Sequence, residues 1–237
     1  AFRAVDTATL PDHQGKGIFK KLTLKAIEIA EENGDHFIFN TPNAQSLPGY
    51  LKMGWEKVGK INVQVIPANP FYRSKPKEET GNLISGFSNP ELNNLLDKAN
   101  QLKKGRGKIF TPKSIAYLNW RYESNPLQVY EIINETDSYA LYYIKKHNRL
   151  LEMRIVEFSA LNNSISSHLK KRIHKRARVE KVHIITYAGD RKLFRFAISG
   201  DFGPILTLRN LNYEQKLFSD LLNMSNWNYS LGDLELF

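Results

Sequence analysis

Two glycines one residue apart, where an extended stretch runs into a helical one, constrain this chain more than any other feature. The turn Gln14-Gly15-Lys16-Gly17-Ile18-Phe19 follows an extended segment, Ala1 to Leu10. After it Ile18, Leu22, Ala26, Ile29 and Ala30 recur at steps of three and four, while Lys20, Lys21, Lys25 and Glu28 fall elsewhere. This spacing predicts a helix with the apolar set on one face. The order is strand, glycine-rich turn, helix. Glycine lets the backbone approach a ligand with no Cβ in the way, and the first helical turn leaves N–H groups without intrahelical acceptors. Together they suit a phosphate or pyrophosphate; a plain tight connection is the alternative. The turn is not a P-loop, since no Gly-Lys-Ser/Thr follows, and it lacks the third glycine of the dinucleotide fingerprint.

A second run bears on the choice. Asn43-Ala-Gln-Ser46-Leu-Pro-Gly-Tyr50-Leu-Lys-Met-Gly54-Trp55 places Asn, Ser, Tyr, Gly and an aromatic residue at offsets 0, 3, 7, 11 and 12. The two runs together resemble the acetyl-CoA-binding core of the GNAT family of N-acetyltransferases. That family's loop reads Gln/Arg-Gly-x-Gly-x-Gly/Ala, and its later signature reads Asn-x-x-Ser/Ala-x-x-x-Tyr-x-x-x-Gly-Phe/Trp. The later signature is complete here; in the loop Phe19 stands where the family usually has Gly or Ala.

The resemblance implies a role for each matching residue. Backbone N–H groups from Gln14, Gly15, Lys16, Gly17, Ile18 and Phe19 would hold the pyrophosphate of acetyl-CoA. The main chain of Thr7, Ala8 and Thr9 would line the pantetheine and the acetyl carbonyl. Asn43 would bond the pantetheine arm, with Ser46 beside it, and Tyr50 would protonate the leaving thiolate. Attack of an amine on a thioester puts negative charge on oxygen and then on sulfur, so a donor near the first and an acid near the second act on charge that appears only in the transition state. Without the motif, Tyr50 reads as a half-buried aromatic on a short helix. Asp6 is the carboxylate nearest this centre in sequence; it is a candidate base or a structural strand-end residue, because alternation along a strand could send it to either face.

At 237 residues, with 41% hydrophobic and 11% aromatic content, the chain has material for one large domain or two modest ones and is not disordered in character. No apolar run approaches bilayer-spanning length, and the absence of cysteine rules out a disulfide framework, a thiolate zinc site and a cysteine nucleophile. A cytoplasmic location is expected, where acetyl-CoA is available. The chain opens at Ala1 inside what reads as a central strand, so an amino-terminal truncation within the first GNAT domain is expected, with much of the acceptor site missing.

Further along, Gly34 ends the first helix, His36 to Asn40 reads as a strand, and Ser46 is placed to cap the helix carrying Tyr50. Trp55 to Val58 and Ile61 to Ile66 read as strands, and Phe71 to Ser88 as a connecting segment. A helix is predicted from Pro90 to about Leu102, then a basic turn, Lys103 to Lys108, and a helix from Thr111 to about Tyr122. Strands are predicted at Val129 to Asn134, Ser138 to Lys146 and Leu150 to Ser159, then a helix carrying Ile165, Leu169, Ile173 and Ala177, and a strand at Val182 to Tyr187. This order resembles a GNAT domain again, as do Tyr117 to Tyr122 with Asn125-Pro126 and the ending Trp227 to Phe237. The second strand-to-helix junction, Ala160-Leu-Asn-Asn-Ser164, has no glycine; its side chains would hinder a pyrophosphate, so this lobe is expected to lack a cofactor.

The first 60 residues carry eight Lys or Arg against seven Asp or Glu, so nine of the ten net positive charges lie beyond them. The densest cluster, Lys170, Lys171, Arg172, Lys175, Arg176 and Arg178, is either a solvated helix face or a surface for an anionic polymer. His168 and His174 are six positions apart and share no helix face, which argues against a metal site. The expectation is an α/β protein with a GNAT-like mixed sheet flanked by helices. Residues 1–70 form the carboxy-terminal part of an acetyl-CoA-binding domain, 71–110 a connector with one helix, and 111–237 a second, degenerate GNAT-like lobe. The expected activity is direct acetyl transfer to a primary amine; the rival is a non-catalytic protein that binds CoA, or a polyanion through helix 165–178.

Overall fold

The computed structural model describes residues 1–4, 8–69, 87, 90–148, 150–189, 192–194 and 196–234. In chain order the main elements are β1 (Phe2–Arg3), α1 (Ile18–Glu32), β2 (Phe37–Asn40), α2 (Leu47–Lys52), β3 (Glu56–Lys60), β4 (Val63–Pro67), α3 (Pro90–Gly105) and α4 (Ile115–Leu118). There follow β5 (Glu131–Glu135), β6 (Ser138–His147), β7 (Leu150–Ala160), α5 (Asn163–Val179), β8 (Ile184–Ala188), β9 (Ile198–Gly200), β10 (Ile205–Asn210) and α6 (Gln215–Leu221). The candidates Asp6 and Thr7, and the core of the expected connector, residues 70–86, lie outside the described residues.

The chain forms two compact units whose boundaries differ from the expected ones. The first comprises Ala1–Ile61 with Asp201–Asn226, the second Asn62–Gly200 with Trp227–Phe237. Residues 62–69 and α3 fall in the second unit, and residues 201–226 in the first. The cause is strand pairing. In the first unit the sheet order is β1-β2-β10-β3. Strand β10 lies antiparallel between β2 and β3, with Thr207 opposite Asn40 on one side and Lys57 on the other. Ile61, fully buried, donates its N–H to the Pro204 carbonyl at 2.9 Å and accepts from the Gly203 N–H at 3.0 Å.

Within this unit α1 buries Ile27 and Ala30, with Phe19 and Leu24 packed at the edge of a core formed with Ile38, Tyr50, Met53 and Trp55. The predicted apolar face is rotated from this one: Leu22 is 64% and Ile29 48% exposed. The helix carries two apolar stripes, and the sheet takes the one through Ile27, which spacing alone did not separate. Helices α1 and α2 close in the same way. After α1 the Asp35 N–H reaches the Ala30 carbonyl and the Gly34 N–H reaches Glu31; after α2 the Trp55 N–H reaches Tyr50 and the Gly54 N–H reaches Leu51. These paired bonds satisfy the last carbonyls of each helix.

The second unit is a six-stranded sheet, order β5-β6-β7-β8-β4-β9, in which β4 is antiparallel to both β8 and β9. Leu169, Ile173 and Ala177 of α5 pack on it against Met153, Ile155 and Ile185, so the four-residue spacing read from the sequence is the buried stripe here. Leu92, Leu95, Leu96 and Ala99 form the buried face of α3, which runs through the expected basic turn as far as Gly105. The predicted helix at 111–122 is shorter and irregular. It begins at Ile115, capped by the Ser114 hydroxyl, and widens to a π turn over Asn119–Glu123.

Gly54 offers a direct test of the α2 closure. Its φ is 91°, and a Cβ there would stand 2.8 Å from Arg209 Nη1. Gly54→Ala is expected to lower stability by about 1–2 kcal/mol from the left-handed backbone alone, with displacement of Arg209 adding to this. Equilibrium urea denaturation of the two proteins measures the difference.

Candidate functional site

The segment before α1 is held by its own short bonds. A 3₁₀ turn spans Pro11–His13, with the His13 N–H on the Leu10 carbonyl at 2.9 Å and the Gln14 N–H on the Pro11 carbonyl at 3.1 Å. Gln14 Nε2 donates to the Thr9 carbonyl at 3.1 Å, and Lys16 Nζ to the Asp12 carbonyl at 2.9 Å. The backbone then passes Gly15 at φ 75° and Gly17 at φ 71°, a left-handed stretch that glycine adopts without strain. Among the described residues, and apart from the adjoining residues of the chain, no atom lies within 4 Å of where a Cβ would stand at either position. The Lys21 N–H donates to the Gly17 carbonyl at 3.0 Å. The N–H groups of Ile18, Phe19 and Lys20 therefore precede the first helical bond and point out of the helix opening.

Gln14 departs from the expected set: its own N–H and its side-chain amide are both committed to the preceding turn. The open amides begin at Gly15. Ala8 and Thr9 lie beyond β1, which is only two residues long, so the extended segment read to Leu10 is not a continuous strand.

The second run is organised by Asn43. Its Oδ1 accepts from the Gln45 N–H at 3.0 Å, the Ser46 N–H at 2.9 Å and the Ser46 hydroxyl at 3.1 Å. Ser46 thus makes no side-chain cap on α2, contrary to expectation, because its hydroxyl is turned back to Asn43. Of the Asn43 amide, the carbonyl oxygen serves the turn and the NH₂ is the part left to offer a ligand.

Tyr50 is 4% exposed and its ring sits edge-on to two others, Phe19 at 5.1 Å and Trp55 at 5.0 Å between centroids. Its neighbour Gly49 explains the unusual Phe19. A Cβ on residue 49 would stand 3.0 Å from Phe19 Cε1, so the absent side chain on α2 makes room for the large one on α1. The Phe19 ring thus packs onto α2, and the space beside Gly15 and Gly17 stays open. From β10, Arg209 donates to the Met53 carbonyl, and its guanidinium lies 5.5 Å from the Trp55 ring centre. An open glycine turn and outward main-chain donors fit a phosphate-bearing group such as the pyrophosphate of acetyl-CoA.

The corresponding junction in the second unit is built differently. Where β7 leads into α5, Asn162 Oδ1 accepts the Ile165 N–H at 3.0 Å and so closes the helix start with a side chain of the chain itself.

That unit holds a buried polar cluster that sequence reasoning missed. Lys113 Nζ lies 2.8 Å from Glu157 Oε1 and 2.6 Å from Asp233 Oδ1. The Tyr122 hydroxyl donates to Glu157 at 2.6 Å, and the Ser230 hydroxyl contacts both carboxylates. Burial alone would lower the Lys113 ammonium, but Glu157 and Asp233 outweigh it and hold its pKa well above the ordinary lysine value. Burial likewise opposes the Asp233 carboxylate, yet Lys113 and Ser230 bring its pKa below the usual value. Burial, reinforced by Glu157, pushes the Tyr122 phenol well up. The members are scattered along the chain with no motif spacing, so only the fold reveals them.

The basic face of α5 is partly spent inside the fold. Arg172 pairs with Glu135 at 2.7 Å, and Arg176 with Glu131 at 2.5 Å and Glu180 at 2.9 Å. These two arginines are thereby withdrawn from the expected polyanion surface. Among the described residues, no group of three or more His, Cys, Asp or Glu could hold a metal ion, and no helix is long and apolar enough to cross a membrane.

Residues 2–58 match the family model described as acetyltransferase (GNAT) domain. No curated protein matches the chain in sequence. Among solved structures it is similar to a GCN5-related N-acetyltransferase from Anabaena variabilis ATCC 29413, with 16% identity and a TM-score of 0.59, covering 85% of this chain and 53% of that one. It is similar to another from Kribbella flavida at 14% and 0.57, covering 89% and 52%. Eis1 from Mycobacterium abscessus aligns at 12% and 0.54, covering 89% and 56%. The chain thus spans about half the length of these structures. The likeness is one of fold: a mixed α/β architecture with sheets flanked by helices, GNAT-like in more than one region.

The buried cluster has a measurable consequence. Lys113→Ala leaves two carboxylates without their cation, and a loss of about 3–5 kcal/mol is expected in denaturant unfolding. Because the Asp233 pKa is lowered on folding, its contribution is present above the unfolded value, about 3.9, and is lost as pH falls through the lower folded value. Unfolding monitored against pH is expected to begin at a higher pH in the variant, where the Asp233 carboxyl is no longer held down by Lys113.

Proposed function

We propose that this chain, with its GNAT-type segment at residues 2–58, acts as an acetyl-CoA-dependent N-acetyltransferase on a primary amine. The observation that carries the reading is the opening of α1. Gly15 and Gly17 leave free space over a left-handed turn, and three main-chain N–H groups point out beside it. Tyr50 packs on the first turn of the same helix through Phe19.

When bound, acetyl-CoA supplies an acetyl thioester whose sulfur leaves as the amine is acylated. The amides from Gly15 to Lys20 would bind the pyrophosphate, with the positive end of α1 adding to the attraction. The Asn43 NH₂ would orient the pantetheine arm, since its carbonyl oxygen is held by Gln45 and Ser46. Tyr50 Oη would hold the proton needed at the sulfur, and the Phe19 and Trp55 rings would keep the phenol in place and water away from it. Asp6 is retained as the candidate base. The acceptor is left at the level of a primary amine: an amino sugar, a small amine or a protein amine.

Two variants test the reading by thiol release from acetyl-CoA over a panel of amines. Tyr50→Phe preserves the ring between Phe19 and Trp55, so turnover is expected to fall about 100-fold or more, the lower range for loss of a general acid, with CoA affinity unchanged. Gly17→Val puts a side chain over the open turn, and CoA affinity is expected to fall by calorimetry. Tight CoA binding with no turnover on any amine would instead favour a non-catalytic CoA-binding protein.

A further inference from the structure

Helix α1 carries an apolar line that its own fold leaves bare. The sheet of the first unit takes Ile27 and Ala30, while Ile18, Leu22, Ala26 and Ile29 recur at steps of four, four and three along another side of the helix. Leu22 is 64% and Ile29 48% exposed, and Ala26 between them is exposed as well. Leu22 and Ile29 stand seven positions apart, about two helical turns, so one lies almost directly above the other. Single apolar residues on a surface are ordinary. A line of them over about three turns of one helix is instead the pattern of a seam against a second helix.

The charges beside that line identify the second helix. Lys21, Lys25, Glu28 and Glu32, all exposed, form a parallel row at steps of four, three and four along its edge. The two cations come first and the two anions last, so the row is basic at one end and acidic at the other. A copy of the same helix laid antiparallel reverses that order. With Leu22 against Ile29 of the second copy, Lys21 comes opposite Glu32 and Lys25 opposite Glu28, and a two-fold axis repeats each contact. One register therefore satisfies the apolar line and the charged row together. Ala26 lies beside the axis, where its small side chain lets the helices approach. A parallel pairing would set lysine against lysine and glutamate against glutamate, which is unfavourable. Within one copy Lys25 and Glu28 pair at 2.8 Å with both side chains more than half exposed, so both remain at the rim of the seam.

We propose that two copies of this chain associate through α1, antiparallel about Ala26, with Leu22 packed on Ile29 of the second copy and Lys21 and Lys25 facing its Glu32 and Glu28. The helix has 15 residues and is about 22 Å long, so the contact falls at the small end of protein interfaces and the association is reversible. Antiparallel helices also set their dipoles in opposition, the favourable arrangement. The seam starts one turn inside the helix opening and uses neither Tyr50 nor the turn at Gly15 and Gly17.

Analytical ultracentrifugation of the 237-residue chain, with amide shift mapping over the same dilution series, tests this. Wild type is expected to pass from monomer to dimer as its concentration rises to about 500 μM, as a small interface requires, with the concentration-dependent shifts centred on residues 18–32. Leu22→Gln/Ile29→Gln removes the apolar line and leaves the buried side of α1 intact; it is expected to dimerise at least about 10-fold more weakly through lost apolar burial. Lys21→Glu/Lys25→Glu and Glu28→Lys/Glu32→Lys each set like charges across the axis. Alone, each is expected to stay monomeric; mixed, they are expected to form a dimer, since a row of glutamates then meets a row of lysines. A wild type that stays monomeric throughout, a dimer indifferent to loss of the apolar line, shifts confined to another face, or charge-reversed variants that fail to pair when mixed would each overturn the proposal. The shift map rests on wild type alone, so it decides the matter even where a variant fails to fold, and none of these readouts depends on coenzyme A or on acetyl transfer.

Discussion

The structure depends on β10 taking its place between β2 and β3. Among the described residues β3 is joined to the first sheet only through β10, with Leu206 and Leu208 buried in the pairing. The Thr207 hydroxyl donates to Asn40, itself buried, on the adjoining strand. Everything from β4 to β9 intervenes in sequence, so the first unit cannot close until a late part of the chain has been delivered. The second sheet has the mirror dependence: β4, which follows β3 after two residues, pairs there with β8 and β9. Such long-range pairings add loop-closure entropy before their hydrogen bonds are gained, and they slow folding.

The same late strand braces the candidate site. Arg209 holds the Met53 carbonyl at the end of α2 and covers the Trp55 ring, which in turn flanks Tyr50. The chain of contact runs from β10 through Trp55 and Tyr50 to Phe19 in the first turn of α1. Each contact involves a large planar group in a defined orientation, which limits how the phenol can move relative to the helix opening. Gly49 and Gly54 are integral to this, one admitting Phe19 and the other leaving room for Arg209.

Local features of this arrangement were legible in the sequence, and non-local ones were not. The glycine turn, the end of α1 at Gly34 and the end of α2 at Gly54 follow from residue type and nearest neighbours, as do β6, β7 and the buried stripe of α5. The buried face of α1 was misassigned because its apolar residues fill two stripes and only the sheet decides between them. The division into these two units is not legible because a strand carries no mark of which sheet it will join, and β10 and α6 carry no motif. Ser46 was read as a cap from its position, but Asn43 competes for its hydroxyl at 3.1 Å. The Lys113, Glu157 and Asp233 cluster is assembled from the start of α4, the end of β7 and the last residues, and no spacing rule links them.

The two strand-to-helix junctions show how little sequence separates an open site from a closed one. Before α1, left-handed glycines leave the main-chain amides bare; before α5, Asn162 turns its own oxygen onto the third amide of the helix. An N-cap side chain of this kind stabilises a helix by about 1 kcal/mol, and α1 forgoes it. Its N-cap residue is Gly17, and no side chain takes the role. The first turn of α1 is therefore less stabilised than it could be, and the unmet hydrogen-bonding capacity is located where an anionic ligand can satisfy it. The second unit closes the start of its helix with a side chain of its own. A bound anion is thus expected to stabilise the first turn of α1 through its main-chain amides, a route that the capped start of α5 does not offer.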